Sequence, residues 1–128
     1  MDYEQGKIDK GWGFEIVFAN NGEYSGKLLV FPNAGAKTSM VLHKKRRKTW
    51  WINEGKFKLT YIEVATGKVF ESVLEAGKTV TLSELAPHQI EALEPNSVIF
   101  EVGTGDEGPV DRIRLAPGDT QTKPSEQQ

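Results

Sequence analysis

The sequence predicts an all-β domain, a sandwich or barrel of about ten short antiparallel strands. Three observations predict it. Thirteen glycines and six prolines punctuate the chain at intervals that leave little room for long helices, because proline removes a backbone donor and glycine costs entropy in a helix. The stretches between them are rich in β-branched and aromatic residues, which fit a pleated surface. Several alternate with period two, most clearly KFKLTYIEV, where Phe57, Leu59 and Tyr61 share one face and Lys56, Lys58 and Thr60 the other.

Residues 1–10 are polar and read as an N-terminal arm, and residues 11–115 carry the strands as one barrel. The first strand, 14–18, alternates Phe14, Ile16 and Phe18 with Glu15 and Val17, so it is apolar on part of both faces. Strands over 27–31, 38–43 and 49–52 follow. The segment 57–64 returns through Ala65-Thr66-Gly67-Lys68 into 69–74, most simply as a β-hairpin. After a strand over 79–82, SELAPHQIEAL contains good helix formers, but Pro87 in its middle favours a turn into a strand over 88–93. Strands over 98–102 and 110–115 complete the set. Residues 116–128 contain no large apolar side chain to offset their ordering entropy and read as a disordered tail.

Composition excludes several function classes. The 128 residues suit one domain, and sixteen Lys plus Arg against eighteen Asp plus Glu give a net charge of -2. No global basic field draws the protein onto nucleic acid or anionic lipid. Zero cysteines exclude a disulfide framework and a thiol nucleophile. The polar N-terminus is no signal peptide, and no apolar run approaches the roughly 18 residues of a membrane span, so a cytoplasmic location is expected. GTGDEGP lacks the features of a phosphate-binding glycine loop, and no serine sits in a G-x-S-x-G elbow.

The two histidines, His43 and His88, lie in segments with informative spacing. The first runs Gly35, five residues, Val41, one residue, His43, four residues, Lys48, six residues, Gly55; the second runs Gly77, five residues, Ser83, Glu84, Leu85, two residues, His88, three residues, Ala92. These intervals resemble the two motifs of the cupin superfamily, G(X)5HXH(X)3-4E(X)6G and G(X)5PXG(X)2H(X)3N. Gly35, His43, Gly55, Gly77 and His88 match in identity, whereas Val41, Lys48, Ser83, Leu85 and Ala92 replace a His or Gln, the Glu, the Pro, the Gly and the Asn. Within the superfamily the sequence looks most like the C-terminal cupin domain of type II mannose-6-phosphate isomerases and guanylyltransferases. Gly11-Trp12-Gly13, AGAKTSMVLH, Glu101-Val102-Gly103 and Asp111-Arg112-Ile113-Arg114 resemble its segments. The resemblance implies a single-domain jelly-roll β-barrel.

It also implies a divalent metal held by four ligands, here Val41, His43, Lys48 and His88. Only the two imidazoles ligate in the usual way. A dication about 4 Å from the Lys48 ammonium is repelled by roughly 8 kcal/mol at an effective dielectric near 20, so at most a weak metal on His43 and His88 is expected. The charge run Lys44-Lys45-Arg46-Arg47-Lys48 leads into Trp50 and Trp51. Alternation puts Val41, His43 and Lys45 on one strand face, and Lys48 and Trp50 on one face of the next. Lys45 and Lys48 beside Trp50, with His43 and His88, suit a small anionic ligand such as a sugar phosphate or carboxylate. The bland alternatives are a solvated charged loop and histidines that serve packing. A single-stranded nucleic-acid platform is disfavoured by the acidic balance. Glu63, Glu71, Glu91 and Glu101 lie in strands where alternation sends such residues to solvent. The function expected is a mannose-6-phosphate isomerase-like cupin binding a sugar phosphate, or else a noncatalytic ligand-binding or regulatory cupin. A homodimer is expected from the two-faced apolar early strand.

Overall fold

The computed structural model describes residues 5–104 and 111–116. Each of the ten expected strands overlaps a strand of the structure. In chain order they are β2 (Gly13–Asn20), β3 (Tyr24–Phe31), β4 (Met40–His43), β5 (Lys48–Glu54), β6 (Lys56–Glu63), β7 (Lys68–Glu75), β8 (Thr79–Leu82), β9 (His88–Ala92), β10 (Ser97–Thr104) and β11 (Arg112–Ala116). One more strand, β1 (Gly6–Lys10), falls in the segment read as an arm. It pairs with β2, setting Lys7 beside Ile16 and Ile8 beside Glu15; its polar residues suit an edge strand, where charge discourages further pairing. Val110 and the expected tail beyond Ala116 lie outside the described residues.

The strands form two antiparallel sheets, a six-stranded one in the order β1-β2-β3-β10-β5-β8 and a five-stranded one in the order β11-β4-β9-β6-β7. The expected hairpin is β6–β7, with Phe57 opposite Leu74 and Tyr61 opposite Phe70. Pro87 separates β8 from β9, as its missing donor requires. No helix among the described residues is long and apolar enough to cross a membrane.

Alternation gives each sheet an inner face, and at one end of the barrel both inner faces are apolar. Phe31, Ile52, Phe57, Leu59, Ile90 and Ile99 are almost wholly excluded from solvent there. Trp12 stacks on Phe31 with ring centroids 4.3 Å apart, and Phe57 meets Phe31 edge-on at 5.1 Å. Burying six such side chains contributes on the order of 10 kcal/mol before chain entropy is set against it. Gly55 closes this end with a φ of +82°, and a Cβ there would collide with Ser97. The motif glycines Gly35 and Gly77 share that left-handed backbone, with φ of +87° and +93°. The glycine spacing in the sequence is therefore a record of turn geometry.

Candidate functional site

The same strands carry charge at their other end. On β3, β10 and β5 the register sets Lys27 opposite Glu101, and Glu101 opposite Trp50, so the three side chains form one row across the inner face. Glu101 is 2% exposed and is the hub. Its Oε1 accepts the Trp50 indole N–H at 2.7 Å, and its Oε2 accepts Arg46 Nη2 at 2.7 Å. The same Arg46 nitrogen donates to Ser25 Oγ at 2.9 Å. Lys48 Nζ lies 3.6 Å from Oε1, and Lys27 Nζ lies 3.6 Å from Oε2 and 3.5 Å from Glu15. Lys27, Arg46 and Lys48 thus face Glu15 and Glu101, one cation in surplus.

Burial alone would raise the Glu101 carboxyl, but Lys27, Lys48 and Arg46, with the Trp50 bond, outweigh it and hold the group well below the usual carboxylate range. Burial pushes Lys48 the other way, down to about 8, against partial compensation from Glu101 and with further lowering by Arg46 and Lys27. Its ammonium sits 5.0 Å from the Trp50 ring centroid and 3.6 Å from Glu101 Oε1.

The second sheet supplies the histidines. Val41 stands opposite His88 in register, and Tyr61 stands opposite it on the other side. The rings of His43 and His88 stack 5.9 Å apart, and Trp50 meets His88 edge-on at 5.7 Å. His88 Nδ1 bonds the Ala86 carbonyl at 2.9 Å, which fixes the proton on that nitrogen when the ring is neutral. Burial first, and then the Lys48 ammonium, push its pKa well below 6.5. Its Nε2 is buried and has no hydrogen-bond partner among the described residues. His43 Nδ1 lies 3.6 Å from Asp111 Oδ2.

Four of the five expected site residues, His43, Lys48, Trp50 and His88, come together here. Lys45 does not. Strand β4 ends at His43, so alternation stops there, and Lys44 and Lys45 turn outward. Asp111 fixes that turn by accepting the Lys45 N–H at 2.8 Å and the Arg46 N–H at 3.2 Å, and Arg46 goes inward instead. Glu101 also corrects the expectation that strand carboxylates face solvent. It shares a face with Ile99, but both faces of β10 carry apolar residues, which hides its direction from an alternation argument.

No family model matches the chain, and no curated protein matches it. Solved structures do. KdgF from Halomonas sp. superposes with a TM-score of 0.64 at 17% identity, over 86% of this chain and 88% of that one. The capsular polysaccharide assembling protein CapF from Staphylococcus aureus superposes at 0.76 and 15% identity, over 90% of this chain and 35% of that one. Oxalate decarboxylase from Bacillus subtilis gives 0.70 and 17%, over 88% of this chain and 29% of that one. The fold is a cupin jelly roll. This chain spans about a third of the CapF and oxalate decarboxylase chains, and at these identities the likeness concerns the fold.

Within that fold the divalent metal implied by the cupin motifs does not fit the residues present. Among the described residues no three His, Cys, Asp or Glu side chains gather to hold an ion. Val41 offers no lone pair, Lys48 brings a positive charge, and Glu101 is engaged by Trp50 and Arg46. The motif's glycine position also departs, because Leu85 holds a φ of +63° there, a strained backbone for a branched side chain. A 440 Å³ cleft between Asp9–Phe14 and Pro32–Ala36 lies at the opposite, apolar end, too far along the strands to share residues with the histidines.

Proposed function

We propose that the charged end of the barrel binds a small anionic sugar, with sugar phosphates as the first class, through Lys48, His43 and His88 and without a tightly held metal. The observation that carries this reading is an unused buried acceptor beside a buried, ion-paired ammonium. His88 Nε2 has no partner among the described residues, and the neighbouring Lys48 ammonium stands 3.6 Å from its nearest carboxylate oxygen. Buried polar groups left in that state are rare and call for a ligand or another explanation. A sugar hydroxyl donates to the imidazole nitrogen, while a phosphate or carboxylate accepts from the ammonium. Asp111 on the His43 side offsets the third cation, so the attraction for an anion is local to the Lys48 ammonium rather than a net positive field. The isomerase-like sequence segments and CapF's role in capsular polysaccharide assembly both support a sugar.

Binding, rather than isomerisation, is the reading the residues support. Glu101 is tied up as a hub by Trp50 and Arg46, Asp111 beside His43 is engaged by the Lys45 and Arg46 backbone, and the four-ligand metal set that polarises a sugar carbonyl in the isomerases is broken at Val41 and Lys48. The test is a melting series on chelator-treated protein with mannose 6-phosphate, inorganic phosphate and mannose. Mannose 6-phosphate at about a hundred times its dissociation constant should stabilise the fold by about 2.7 kcal/mol, raising the melting temperature by several degrees. Mannose should not, and Lys48→Met should abolish the shift. An unchanged melting temperature with every anion would overturn the proposal. Aldose-ketose conversion by the metal-free protein would replace binder with enzyme.

A further inference from the structure

We infer that the outer face of the six-stranded sheet is an interface for a second copy of this chain, an inference independent of the ligand reading. The register lines up apolar side chains across four neighbouring strands. Ile16 stands opposite Leu28, Leu28 opposite Phe100, and Phe100 opposite Trp51, so one row crosses β2, β3, β10 and β5 without a charge. The adjoining row runs Phe14, Val30, Val98 and meets a charge only at its end, at Glu54 on β5. On the other side Phe18 lies over Gly26, where a Cβ would collide with its ring, and Val102 stands opposite Gly26. Exposures are high: Ile16 37%, Phe18 59%, Tyr24 57%, Trp51 43%, Phe100 36% and Val102 57%. A strand that is apolar toward the core and again toward the outside is the pattern of a sheet covered on both faces.

The size and character of the face favour a second copy as the cover. At about 150–250 Å² for a whole aromatic side chain, the exposed parts of those six residues come to on the order of 500 Å². Two copies together hide about 1,000 Å², the size at which specific interfaces begin. An uncharged centre is the character of an interface core. Two sheets of the same twist pack face to face with their strands nearly aligned, and an identical copy supplies that twist. The rim on β1 carries both signs, Lys7 and Asp9, each more than half exposed, so a two-fold axis can set opposite charges against each other. The polar stretch 117–128 has no large apolar side chain with which to cover the face.

Sedimentation velocity on the full chain at low and high micromolar concentration tests this. The expected result is a species of twice 14.2 kDa. Trp12 and Trp50 are buried while Trp51 is exposed, so tryptophan emission should also shift to shorter wavelength as the dimer forms. Trp51→Glu and Phe18→Glu should each sediment as monomer with an unchanged circular dichroism spectrum, and Val73→Glu, on the exposed strand β7 of the other sheet, should remain dimeric. A wild type that stays monomeric at high micromolar concentration overturns the inference, whether or not the face then takes up lipid vesicles. A dimer that survives both Trp51→Glu and Phe18→Glu also overturns it.

Discussion

The two ends of the barrel are built on the same strands and differ in kind. Strand β10 carries Ile99 and, two residues later, Glu101; β5 carries Ile52 and Lys48; β3 carries Phe31 and Lys27. At one end these inner positions close a core of Phe31, Phe57, Ile52 and Ile99 that needs no partners beyond contact. At the other they hold five charges that are tolerable only while each is answered. The difference teaches that this fold draws its stability from the apolar end and little from the charged end, where ligand binding is proposed. A buried charge cluster adds little to stability compared with well-packed apolar residues.

The largest effect should come from breaking the hub. Glu101→Gln leaves Lys27, Arg46 and Lys48 buried without their shared counter-charge and should cost about 3–5 kcal/mol in denaturant unfolding, comparable to Phe57→Ala at the apolar end. The two should differ with pH. Because the folded Glu101 pKa is depressed, its contribution is complete above the ordinary carboxylate range and fades only as pH falls through the folded value. The Glu101→Gln deficit should therefore shrink in acid, whereas the Phe57→Ala deficit should not.

Lys48 sharpens the contrast in the opposite direction. Its pKa falls from 10.5 unfolded to about 8 folded, so below pH 8 the fold carries the full penalty of a buried ammonium. Between about pH 8 and 10.5 the unfolded chain holds more protons, and stability rises with pH. The shift corresponds to about 3 kcal/mol. Lys48→Met should be more stable than wild type at neutral pH by about 1–3 kcal/mol, and the gap should close across that window. A Lys48→Met protein less stable than wild type at neutral pH would mean that the ion pair contributes net stability.

A smaller effect is expected at Leu85. Its φ of +63° occupies the cupin glycine position, and Leu85→Gly should stabilise the fold by about 0.5–1 kcal/mol in thermal unfolding. Little change is expected when Lys58 is removed from the outer face of the five-stranded sheet. Its pairs with Glu71 and Glu91, at 3.3 and 3.5 Å, stand in solvent.

Strand positions were legible because alternation and turn residues are local signals. Gly35, Gly55 and Gly77 were legible because left-handed backbone demands glycine. The edge strand Gly6–Lys10 was not, since its polar sequence lacks an apolar period. At the site, two histidines, Lys48 and Trp50 could be placed by motif spacing and alternation. Arg46 could not, because its direction is set by Asp111, sixty-five residues away in sequence. The sequence resemblance did single out Glu101 and Asp111. Their roles as hub and loop clamp emerge only when β3, β5, β10 and the turn after β4 meet, a long-range arrangement that no local pattern encodes.

In the proposed site His88 Nε2 is the acceptor and the Lys48 ammonium the donor, and the direct measurement is the long-range nitrogen–proton NMR spectrum of the histidines against pH and ligand. His88 should remain the neutral Nδ1–H tautomer as pH falls through 6.5, the ordinary value from which it is depressed. Its Nε2 resonance should move when mannose 6-phosphate is added, and should stop responding in Lys48→Met. A His88 that titrates near 6.5, with an Nε2 resonance indifferent to sugar phosphates in the wild type, would contradict the account.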